Sequence, residues 1–134
     1  MSSVSVPEGV RGDEIRLLLP AQAEYGRIAR ITASSLALRL GFSFPDIEDL
    51  RIALDEMVIL LLRPEGSAGN IRITFRIAAD RLEIEAVTSA GRDQPWVDDG
   101  ALNRFNEIVE DLVDEHRVDD DGRQVHLAKR FRAA

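Results

Sequence analysis

With 134 residues, 45% of them hydrophobic, the chain is long enough for one domain, and a domain of this size buries roughly two thirds of the surface its unfolded form exposes. The absence of cysteine excludes a disulfide framework, a thiolate nucleophile and a Cys-based zinc site. A formal net charge of −7 argues against direct nucleic-acid binding, which draws its affinity from clustered Lys and Arg; the cations here are almost all arginine, with Lys129 the only lysine. The longest apolar run, Met57 to Leu62, falls far short of the roughly 20 residues that a membrane span needs, and the N-terminus lacks a basic-then-apolar leader pattern. A cytoplasmic protein with no membrane partner is expected.

Residues 1–13 carry Ser, Pro and Gly without periodicity and read as a flexible tail ahead of a single domain over 14–134. Ile15 to Leu19, ended by Pro20, is short enough for a strand. From Ala21 the period changes: Tyr25, Ile28, Thr32, Leu36 and Leu40 step by three and four, widened by Ala29 and Ala33, and Gly41 supplies a stop. Ser43, Pro45 and Asp46 form a helix start, followed by a core stripe of Ile47, Leu50, Leu54, Val58 and Leu61 that stops around Arg63 and Pro64. The last half of this second helix is apolar all round, the mark of a buried helix.

Ile71, Ile73, Phe75 and Ile77, a turn at Asp80 and Arg81, then Leu82, Ile84 and Ala86 alternate as two strands of a meander. The pattern lapses from Arg92 to Gly100. Leu102, Phe105, Ile108, Val109 and Leu112 restore a helical period. Val113 to Val118 and Gln124 to Phe131 then form a hairpin around Asp120 to Gly122. The order βααββαββ, with strands grouped in meanders and helices able to cover one face, predicts an α+β fold, a two-layer α/β sandwich.

The stretch Leu17 to Arg63, and within it DLRIALDE at residues 49–56, resembles the N-terminal half of the anti-sigma regulatory serine kinases of the RsbW and SpoIIAB type, in the GHKL superfamily. The closing segment IVEDLVDEHRVDDDGRQVHLAKRF is similar to that family's last helix and hairpin. The resemblance implies a Bergerat-type (histidine-kinase-like ATPase) fold. It also implies a sigma factor as partner, a STAS-type anti-anti-sigma protein as antagonist, and a homodimer.

In the kinases of this family the acid matching Glu56 is the general base, and an asparagine four residues on holds the magnesium of ATP. Residues i and i+4 share a helix face about 5 to 6 Å apart, so both can reach one phosphate and its metal. Here the second position is Leu60, which offers magnesium no lone pair. The family's Asp-x-Gly-x-Gly box is replaced by Val87, Thr88, Ser89, Ala90 and Gly91, with no carboxylate to meet an adenine amino group. The lid segment Arg92 to Leu102 is short and adds Asp98 and Asp99, which repel a triphosphate. The degenerate positions Leu60, Thr88, Ser89 and Gly91 lead to the expectation of an anti-sigma factor or partner-switching regulator that is not an enzyme and needs no Mg-ATP, with Glu56 a vestigial base. Two alternatives stand beside it: an active serine kinase that phosphorylates an anti-anti-sigma protein, with Asp98 or Asp99 as replacement ligand, and an orphan dimeric interaction module of the same fold.

The partner surface is expected on the first helix, where Arg27, Arg30 and Ser34 form a polar face opposite the core stripe; the resemblance gives the position of Arg30 a sigma-factor contact. Three other patterns are assigned structural roles. Asp119 to Asp121 before Gly122 lacks a calcium loop's closing glutamate, which falls on Arg130, and reads as a tight hairpin turn. His116 and His126 lack a third metal ligand. Ser34, Ser35 and Ser89 have no His-Asp pattern nearby to make them nucleophiles.

Overall fold

The computed structural model describes residues 13–62, 69–89, 99–119 and 122–130. Five strands, β1 (Asp13–Pro20), β2 (Asn70–Ile77), β3 (Arg81–Thr88), β4 (Glu115–Val118) and β5 (Gln124–Arg130), form one antiparallel sheet in the order β1-β2-β3-β5-β4. Three helices, α1 (Gly26–Arg39), α2 (Phe44–Leu61) and α3 (Asp99–Val109), complete the predicted order. The predicted two-layer α+β sandwich is what forms. Residues 1–12 of the expected tail and Phe131 lie outside the described residues, as do 63–68, 90–98 and 120–121.

Period-two alternation sends Ile71, Ile73 and Phe75 of β2, Leu82, Ile84 and Ala86 of β3, and Val125 and Leu127 of β5 to the helix-facing side, where all are buried. The other face of the sheet is charged. Glu14 meets Arg16 and Arg76, and Arg81 meets Glu83 and Glu115. The hydrogen bond from Arg16 holds the Glu14 carboxyl below its usual range.

Helix α2 starts as the sequence predicts. Ser43 Oγ accepts from the Asp46 N–H at 3.2 Å, proline stands in the first turn, and Asp46 faces the positive end of the helix dipole. Ser43→Ala is expected to lower stability by about 1 kcal/mol, read from the midpoint of a urea melt with unchanged slope. The α2 stripe is broader than predicted: Ala53, Met57 and Leu60 join Leu50, Leu54, Val58 and Leu61 in the core. Its last half is not buried all round, however, because Ile59 is 55% exposed.

Helix α1 departs from its predicted stripe. A 3-10 turn, Ala23–Tyr25, precedes it, and its buried residues are Ala29, Ala33, Leu36 and Ala37, while Ile28 and Ile31 are exposed. The cause is close packing: with alanines on the inner face the helix sits tight against α2, so tight that a Cβ on Gly26 would meet Val58 Cγ1 at 3.2 Å. A larger apolar residue such as Ile28 finds no room there and faces out. Counting apolar spacing cannot separate an alanine face from an isoleucine face when both repeat at helical intervals.

At the α1–α2 junction Gly41 adopts φ 86°, a left-handed backbone that closes the helix. At the last hairpin Gly122 does the same with φ 70°, and the Asp119 carboxylate accepts from the N–H groups of Arg123 and Gln124 at 2.9 and 3.1 Å. Asp119 therefore commits its Oδ1 to the turn, as the sequence reading of this acidic cluster holds. His116 pairs in register with Leu127, and His126 with Arg117, so the two histidines sit on opposite faces of the sheet and cannot share a metal ion.

Candidate functional site

Two surfaces bear on function: the junction of α2 and α3, where Glu56 lies, and the outer face of the α1–α2 pair. At the first, α2 turns Glu56 and Leu60 toward the side on which α3 packs, as their i, i+4 spacing requires. Leu60 belongs to the hydrophobic core at 7% exposure. The Glu56 side chain is only 12% exposed and receives two nitrogens of Arg104 from α3, Nη1 to Oε1 at 2.5 Å and Nη2 to Oε2 at 3.5 Å. A vestigial acid left on a rim would be solvated. This one is held by a guanidinium that itself stands 57% exposed.

Sequence reasoning missed Arg104 entirely. It lies 48 residues from Glu56 and no local motif links them.

Of the positions read as degenerate, Thr88 is 4% exposed on the helix-facing side at the end of β3. Ser89 is engaged structurally: its N–H donates to the Asn70 carbonyl at 2.9 Å, and its Oγ accepts from the Asn70 N–H at 3.0 Å, which ties off the β2–β3 pair. Gly91, with Asp98, lies outside the described residues, and Asp99 heads α3 on the surface.

The fit of these positions to the magnesium that the fold family implies is decided by Leu60. Magnesium requires oxygen ligands in near-octahedral order, and the position that should supply one is an alkyl side chain packed into the core. Among the described residues no three His, Asp or Glu side chains converge as a metal site. The charge facing Glu56 comes from Arg104.

At the second surface the three predicted residues do not stand together opposite the core. Arg27 is exposed, Arg30 and Ser34 are half-buried, Arg30 on the flank toward α2, and the exposed positions of α1 include the apolar Ile31 at 55% and Leu38 at 69% exposure. Arg30 donates Nη1 to Asp55 Oδ1 of α2 at 2.9 Å. Asp55 is thus the partner of the predicted contact residue, not an independent surface charge. Phe44, Ile52 and Ile59 continue the exposed apolar residues on the outer side of α2. The surface is an apolar face with Arg27 and the Arg30–Asp55 pair set into it, the composition of a protein-binding patch.

No family model matches the chain. Among curated sequences it is 40% identical over 78 residues, 57% of its own length and 49% of the other's, to a serine-protein kinase RsbW of Bacillus cereus. It is 38% identical over 76 residues to a serine-protein kinase RsbW of Bacillus thuringiensis. The chain spans about half the length of the curated relatives it matches. Among solved structures, a crystal structure of the RsbU and RsbW domains of Rv1364c from Mycobacterium tuberculosis superposes with a TM-score of 0.65. That match has 19% identity and covers 91% of this chain and 34% of that one, so it speaks for the fold.

These findings correct one expectation. Three changed motifs led the sequence reading to a non-enzyme, whereas the relatives are named kinases, and kinship at 40% identity points toward kinase activity. The non-enzyme expectation counts residues only where the family motif places them, and the 40% identity over 78 residues weighs against it. Sequence similarity over the matched 78 residues and likeness of fold agree, and together they support the RsbW/SpoIIAB-type GHKL family for this chain.

Proposed function

We propose that the chain is a partner-switching regulator that binds a sigma factor and, as an ATP-dependent serine protein kinase, phosphorylates a STAS-type anti-anti-sigma protein. The observation that carries this reading is the 40% identity to serine-protein kinases, reinforced by Glu56, whose carboxylate is kept on the α3-facing side of α2 rather than lost to the core. In the reaction, the serine hydroxyl proton passes to Glu56 as a bond forms between the serine oxygen and the terminal phosphorus of ATP. The bond from that phosphorus to its bridging oxygen breaks, and ADP leaves. The homodimer that the family resemblance implies is part of the same proposal.

The test is direct. The purified chain is incubated with ATP and each STAS-type protein of its source organism, and phosphoserine is sought by mass spectrometry. Transfer to one of them is the expected result. No transfer to any, under conditions where a known serine kinase control works, overturns the enzymatic half.

The sigma-binding half rests on the α1–α2 face. Arg30→Glu should weaken capture of the sigma factor at least about tenfold, as charge reversal inside a binding patch does. The substitution also sets two acids against each other at positions 30 and 55, so it is paired with the swap Arg30→Glu/Asp55→Arg. The swap restores the ion pair and the melting temperature, but it moves the cation from α1 to α2 and leaves binding weak. Recovery of full affinity in the swap would show that Arg30 only holds the helices together.

A further inference from the structure

Glu56 and Leu60 occupy one face of α2, and between them they pose a charge problem. A phosphate ester that approaches a carboxylate needs a cation between the two, and the alkyl side chain at the family's metal-ligand position cannot hold one. The structure already contains a cation at this place. The Arg104 guanidinium rests on both oxygens of Glu56, at 2.5 and 3.5 Å.

The exposures of the pair are unequal. The Glu56 side chain is 12% exposed and that of Arg104 57%, so the carboxylate is shielded while the cation fronts the solvent. A guanidinium has five N–H donors in a planar fork that suits carboxylate and phosphate oxygens alike. Glu56 engages only two of its three nitrogens, the second at the limit of hydrogen-bond length. Donors therefore remain for an arriving anion, and an anion with more charge than a carboxylate competes for the rest.

We propose that Arg104 stands where a divalent cation would, so that this site binds the terminal phosphate of its nucleotide without a metal, and that Arg104 does so by exchanging Glu56 for the phosphate. The exchange has two consequences. It neutralises the phosphate, and it releases the Glu56 oxygens from the guanidinium that contacts both of them. Arg104 is in this sense a positioning residue for Glu56 as well as a phosphate ligand. The proposal rests on the nucleotide-dependent reading given above, and it predicts a metal independence that the reading by itself does not.

Calorimetric titration of the whole chain with ADP and with a non-hydrolysable ATP analogue, in EDTA and again in excess magnesium, tests it. The wild-type affinity for the analogue should differ by less than about threefold between the two buffers, whereas Arg104→Ala in EDTA should lose at least about tenfold, consistent with one charge-assisted contact. Arg104→Lys, which keeps the charge but not the fork, should fall between them. Glu56→Gln should bind the analogue more tightly than wild type, because no ion pair has to be broken; an Arg104 that merely braces the helices gives no such gain. Melting curves confirm that each variant is folded, as the exposure of Arg104 leads one to expect. Binding that disappears in EDTA, or that Arg104→Ala leaves unchanged, overturns the proposal and leaves the kinase reading standing. If no nucleotide binds in either buffer, both fall.

Discussion

Glu56→Gln should reduce phosphoryl transfer to serine by at least about 10²-fold, the lower end of what a positioned general base contributes, while the chain stays folded and still retains its sigma partner. The amide is the same size as the carboxylate and can still accept from Arg104, so the α2–α3 contact survives in shape. What is removed is the ability to take a proton. The same substitution is expected to strengthen nucleotide binding, so rate and affinity move in opposite directions. That divergence identifies a group that acts in the transition state, since a binding group would lose both together. Single-turnover transfer from labelled ATP, with calorimetry on the same preparation, measures both. Retention of more than a tenth of the wild-type rate would exclude Glu56 as the base and direct attention to another acid, with Asp99 at the head of α3 the first to examine among the described residues.

The strands of this fold were legible because their signals are local. Ile71, Ile73 and Phe75 alternate with Arg72, Thr74 and Arg76, and only one register buries the first set. The start of α2 was legible for the same reason, since Ser43, Pro45 and Asp46 do their work within a single turn. Helix α1 was placed but rotated in the reading. Its inner face is made of alanines, whose small size lets the helix approach closely, and an apolar count gives Ile28 more weight than Ala29 although the structure gives it less.

The candidate site was legible only by half. Glu56 and Leu60 sit in one helix at fixed spacing, so their relation follows from helix geometry alone. Arg104 and Glu56 meet only because α3 packs against α2 after the chain has passed through β2 and β3. The Arg30–Asp55 pair is of the same kind, with 25 residues between partners. In both cases the sequence gives no sign of the pairing, since nothing in the local pattern of either residue distinguishes a paired ion from a solvated one. The expectation of a non-enzyme rests on local motifs alone, and it is the sequence kinship that speaks against it.

Lys129→Met should destabilise the fold by about 2–4 kcal/mol, the cost of leaving a buried carbonyl and a shielded carboxylate without their cation. The only lysine of the chain is buried on the helix-facing side of β5, where it pairs in register with Leu82. Its Nζ donates to the Leu112 carbonyl at 2.6 Å and lies 3.6 Å from Asp46 Oδ1. One ammonium thus ties three elements together: the sheet, the first turn of α2 and the turn that follows α3. Methionine fits the channel of the aliphatic stem, so packing is nearly kept and the loss is polar. For a domain whose whole stability is of the order of 5–15 kcal/mol, such a loss is a large fraction, and a denaturant melt should show it as a shifted midpoint. It also bears on the site. Lys129 fixes the start of α2 and the end of α3, the two helices that bring Glu56 and Arg104 into contact, so the variant should protect the amides of α2 and α3 less against hydrogen exchange than those of β2 and β3. A destabilisation below about 1 kcal/mol would place Lys129 among ordinary surface pairs. Uniform loss of protection across sheet and helices would mean that it braces the whole core and has no particular hold on the α2–α3 junction.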